Sequence, residues 1–72
     1  MKQIEMKKFL EDNGIKITKI EGDDFSSVFH ISKSDRDKIK ENQSKYEKET
    51  GLAILVSDSF GMSVVIMENE EE

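Results

Sequence analysis

Two short apolar runs near the end of the chain, Leu52 to Ser57 and Met62 to Glu68, constrain the fold more than any other feature. They are joined around Asp58-Ser59-Phe60-Gly61. In the first, Leu52, Ile54 and Val56 alternate with Ala53 and Leu55; in the second, Met62, Val64 and Ile66 alternate with Val65 and Met67. Runs of this length, rich in branched aliphatic residues and bounded by turn formers, read as strands. They are far too short to cross a bilayer as a helix. Each is apolar on both faces, so alternation alone leaves open which face meets the core.

The rest of the chain must supply the partners of that hairpin. Met1 to Asn13 reads as a helix with Met6, Phe9 and Leu10 on one face and Ile4 off it. Asn13-Gly14 supplies its stop. Ile15 to Glu21 reads as a strand in which Ile20 breaks the alternation, a sign of a bulge. Gly22-Asp23-Asp24 is a turn, and Phe25 to Ile31 a second strand with Phe25, Ser27, Phe29 and Ile31 on one face and Val28 and His30 on the other. Ser34 to Thr50 reads as a second helix, capped through Ser34-Asp35-Arg36-Asp37 and ended by Gly51. Its apolar stripe is only Ile39 and Tyr46, a heptad apart.

The predicted class is therefore α+β, in the order α-β-β-α-β-β. A four-stranded antiparallel sheet with both helices on one face accommodates it. One such arrangement is a circularly permuted ferredoxin-like sandwich with strand order 3-4-2-1, which places the apolar fourth strand centrally. Residues 1–68 are expected to form a single domain and residues 69–72, Asn69-Glu70-Glu71-Glu72, an acidic tail that frays.

A domain of 72 residues buries only about 60% of its unfolded surface. Its expected stability is ~3–5 kcal/mol unless assembly adds to it. There is no cysteine and only one histidine, so neither a disulfide nor a structural zinc site can reinforce the core. A second subunit is the remaining source of stability, and a homodimer is expected. Met1-Lys2-Gln3-Ile4-Glu5-Met6 carries charge throughout and lacks the apolar stretch of a signal peptide, which points to the cytoplasm.

Function is less legible. The 16 acidic residues exceed the 11 basic ones, for a net charge of −5. That weighs against an unspecific nucleic-acid binder, which relies on Lys and Arg at phosphates. The sequence has no phosphate loop and no cofactor or metal signature. Glu21, Asp23 and Asp24 form a carboxylate-rich turn that reads as solvated rather than cation-binding. His30 would need a nucleophile and an orienting acid to serve as a catalytic base, and its serine neighbours read as a wet strand face. No catalytic residue, metal ligand or cofactor is assigned.

Two surfaces stand out. With both helices on one side of the sheet, Val28, Ala53, Leu55, Val65 and Met67 are expected to face away from them as an apolar patch for a second copy or a partner; the equal alternative is that one helix covers that face. With strand order 3-4-2-1, Glu21, Asp23, Asp24, Glu68, Glu70, Glu71 and Glu72 are expected to converge at one end, able to imitate a phosphate backbone in a basic groove; the plainer and favoured reading of the same residues is a disordered, solubilising tail beside an ordinary acidic turn. The leading expectation is a stoichiometric, acidic protein-binding module. By composition alone it is comparable to phage or mobile-element inhibitors of nucleic-acid-binding enzymes, anti-CRISPR proteins and DNA mimics among them. The alternative is a nucleic-acid-binding or regulatory module using Lys33, Arg36, Lys38, Lys40, Lys45 and Lys48. Those alternate with Asp35, Asp37, Glu41, Glu47 and Glu49, as on a solvated mixed face.

Overall fold

The computed structural model describes residues 1–59 and 61–69. Along the chain run α1 (Gln3–Asp12), β1 (Ile17–Gly22), β2 (Ser26–Ile31), α2 (Lys33–Glu41), α3 (Gln43–Thr50), β3 (Leu52–Ser59) and β4 (Met62–Asn69). The four strands make one antiparallel sheet in the order β1-β2-β4-β3, the 3-4-2-1 series seen from its other edge. All three helices contribute to one core cluster: Met6 and Leu10 from α1, Ile39 from α2 and Tyr46 from α3. Their counterparts on the sheet are Phe29, Ile31, Leu52, Ile54, Val65 and Met67. The fold is an α+β sandwich of two layers, and among the described residues the other side of the sheet carries no helix.

Helix ends are set by local chemistry. At the end of α1, the Ile15 amide bonds Leu10 O and the Gly14 amide bonds Glu11 O, a Schellman closure. It brings Ile15 over Leu10, and both are buried. At the end of α3 the Gly51 amide bonds Glu47 O, and Thr50 Oγ1 caps the Leu52 amide. Gly14 and Gly51 both have positive φ, 79° and 71°, as their positions require.

The bulge expected near Ile20 is present. The β1–β2 register shifts between Ile17 and Lys19, so Ile17 faces Ile31 and Ile20 faces Phe29. Without it Ile20 would point to the helix-free side. Phe25 departs from expectation: it lies before β2 and is 45% exposed. The Asp23 carboxylate accepts from the Phe25 and Ser26 amides, and this turn delays the strand until Ser26.

The second helix is two helices. The cap is Ser32, whose hydroxyl accepts from the Asp35 amide, so α2 starts at Lys33. The helical path breaks at Asn42, whose amide bonds Ile39 O in a tighter turn and whose side chain bonds Lys38 O. Ile39 and Tyr46 are nevertheless both buried. The Tyr46 ring meets Phe9 of α1 edge-on at 5.3 Å.

Candidate interaction surface

The sheet register decides which residues lie on the helix-free face. Val28 is opposite Ile66, and Ile66 is opposite Leu55, so these three form one apolar row across β2, β4 and β3. His30, Val64 and Ser57 form the next row in one direction, and Ser26, Glu68 and Ala53 in the other. Leu55 is 54% exposed and Met62 51%, the two most exposed apolar side chains on the sheet. Among residues expected on this face, Val28, Ala53 and Leu55 are there. Val65 and Met67 are not, and this expectation is corrected. Val65 pairs with Val56 and Met67 with Ile54, so both share the helix-covered face and are fully buried. Ile66, Val64 and Met62 take their place. The alternation in β4 could not reveal this, because both of its faces are apolar. The signal lies in pairing with β3, whose inward residues follow from Leu52 entering the core after α3.

Polar groups border the row along β1. His30 Nε2 lies 2.6 Å from Glu21 Oε2, and Lys19 lies 3.9 Å from the other carboxylate oxygen. The hydrogen bond to His30, and then the Lys19 charge, hold the Glu21 carboxyl below its usual range. The contact therefore supports the fold above the ordinary carboxylate range and is lost as pH falls through the lowered value. At the α2 end of the sheet, a shallow pocket of about 250 Å³ is lined by residues including Thr18, His30, Ser32, Lys33, Met62 and Ser63. Its serines are engaged elsewhere. Ser32 caps α2, and Ser63 donates to Asp58. The Ser63 hydroxyl, followed by the Arg36 charge, keeps the Asp58 carboxyl low, and Arg36 in turn bonds Asp58 and Asp37.

The acidic end is assembled in part. Ser26 is opposite Glu68, which sets Glu68 beside the turn carrying Asp23 and Asp24, with Glu21 just before it. Glu70, Glu71 and Glu72 lie outside the described residues. Three of the carboxylates have work within the fold. Asp23 caps its own turn, Asp24 accepts from the Gln3 amide at the start of α1, and Glu21 pairs with His30. Asn69, expected in a fraying tail, is the last residue of β4. Its side chain accepts from Met1 N and donates to Met1 O and Asp24 O. This end is thus stitched together, with carboxylates as part of the stitching.

The basic residues of α2 and α3 are also partly committed. Arg36 reaches Asp37 and Asp58, and Lys38 caps Asn13 O at the end of α1. Among the described residues, no group of three or more His, Cys, Asp or Glu side chains could hold a metal ion, and no helix is long and apolar enough to cross a membrane. Comparison with known proteins finds no matching family model, no similar curated protein and no similar solved structure.

Proposed function

We propose that this chain is a small acidic protein-binding module of the cytoplasm that acts stoichiometrically and docks through its helix-free sheet face, with a second copy of itself as first occupant. The observation that carries this reading is the row Val28–Ile66–Leu55, continuous across three strands on a face that no helix among the described residues covers. In a domain this small, apolar surface left in water weighs heavily against a few kcal/mol of stability. A two-fold pairing of this face covers it on both subunits at once. Light scattering of the wild type should give twice the chain mass at high micromolar concentration. Ile66→Lys with Leu55→Lys should give a folded monomer. A monomeric wild type at that concentration removes the self-pairing reading.

A second reading rests on the acidic end, where Glu68 stands beside the Asp23–Asp24 turn. It is the inhibitor of a nucleic-acid-binding enzyme, presenting carboxylates to a basic groove as DNA presents phosphates. Its partner should associate quickly at low salt and more slowly as salt screens the field. Because Asp23 holds the turn and Asp24 ties it to α1, the suitable variant is Glu68→Lys with truncation after Asn69. Surface plasmon resonance against a basic DNA-binding enzyme should show slower association with that variant. A salt-independent association rate sinks this second reading and leaves the first untouched.

A further inference from the structure

The first half of the outer edge of β3, at Leu52 and Ile54, is covered by side chains rather than by a strand. β3 is an edge strand, and an edge presents alternate amide and carbonyl groups to any chain that can pair with it. Here the Ile54 amide donates to Glu47 Oε2 at 3.1 Å, and the Ile54 carbonyl accepts from Gln43 Nε2 at 2.7 Å. One residue's two outward groups are thus met by two side chains one turn apart on α3. The Leu52 amide, also outward, is met by Thr50 Oγ1 at 3.2 Å. A strand's outward groups recur every second residue, so Val56 is the next exposed position. Among the described residues none covers it in this way.

We infer that Gln43 and Glu47 close a latent strand-pairing site, and that the partner which fits it is β3 of a second copy. The segment Leu52 to Ser57 carries no charge and no proline and is rich in β-branched and aliphatic residues. Such a segment pairs readily with its own copy, because no like charges are set opposite one another. Antiparallel addition would extend the sheet without a break, aligning Leu52, Ile54 and Val56 of each copy on one face. The break at Asn42 belongs to this device. It sets α3 on a course of its own, from which Gln43 and Glu47 both reach the β3 edge. Only Tyr46 of α3 is fully in the core, so the cover rests on those two polar contacts more than on packing. The site is separate from the sheet face proposed above.

The test uses the Ile66→Lys background, which puts a charge at the centre of the face proposed above for self-pairing but leaves β3 unchanged. Adding Gln43→Ala and Glu47→Ala should produce a concentration-dependent species of at least twice the chain mass in sedimentation velocity. In that species the Val56 amide should exchange with solvent roughly tenfold more slowly or better. A further Val56→Pro change removes the outward amide while sparing the β4 ladder, and should abolish the association. The uncovered variant overturns the inference if it is folded and monomeric, or if its association survives Val56→Pro. Should it fail to fold, the Ile66→Lys parent still decides the matter. There the Ile54 amide must exchange more slowly than that of Val56, and equal rates refute the cover.

Discussion

Val65→Lys is expected to abolish cooperative folding, whereas Ile66→Lys, one residue further on, is expected to leave the fold intact. Val65 lies in β4, flanked by β2 and β3, and is fully buried among the helices. An ammonium there loses its hydration in an apolar core without a partner, at an effective cost of several kcal/mol. That is comparable with the ~3–5 kcal/mol expected for the whole domain. Ile66 stands on the opposite face and is only partly buried, so a lysine there can lay its stem along Val28 and Leu55 and keep its charge in water. Far-UV circular dichroism and urea titration of the two variants separate the faces of β4. A Val65→Lys variant with a near-normal urea midpoint would mean that the faces are the other way round.

Gly22→Ala should be the most damaging glycine substitution in the chain. Gly22 closes β1 with φ 92°, a conformation strained for any other residue. A Cβ there would also press into the backbone carbonyl of Ser26, which already accepts from the Asp23 amide at 2.9 Å. A carbonyl fixed in a turn cannot yield as a flexible side chain does. Strain and collision together should cost on the order of 3 kcal/mol. At Gly51 φ is likewise positive, yet a Cβ would meet nothing within 4 Å, and Gly51→Ala should cost only about 1 kcal/mol. Urea midpoints give the ranking directly, and a Gly22→Ala variant as stable as Gly51→Ala would refute the account of the turn.

Much of the architecture could be read from local signals. Helix ends at Gly14 and Gly51, the bulge before Ile20 and the two C-terminal strands all follow from features within a few residues. What sequence reading missed was decided at a distance. The parity of β4 was ambiguous because Val64, Val65, Ile66 and Met67 are all apolar; the pairing of Val65 with Val56 and with Phe29 resolves it. The break at Asn42 has no proline or glycine to announce it: Asn42 turns back onto Ile39 O and Lys38 O, and beyond it Gln43 and Glu47 bond Ile54, on another element. Phe25 read as the first residue of the second strand because it continues the alternation of Ser27, Phe29 and Ile31, yet the Asp23 carboxylate holds it in the turn. The place of Glu68 beside the Asp23–Asp24 turn follows from strand order, but the detail of that end does not. That Asp23 and Asp24 bind backbone amides depends on how the turn meets α1 and β2.

The sheet order also has a kinetic side. Both hairpins, β1–β2 and β3–β4, pair residues close in sequence and can form early. The seam between them joins β2 to β4, whose partners lie roughly thirty to forty residues apart along the chain, so its closure carries the larger loop entropy. Phe29 and Val65 meet across that seam. Truncating either should therefore slow folding to the extent that the seam is formed at the barrier, while changes at the Gly22 turn, remote from it, divide differently between folding and unfolding rates. Were the two hairpins to close before they met, β2 and β4 would stand open to neighbouring chains in the interval, and the speed of the last zipping step would limit how long each half stayed open to a wrong partner.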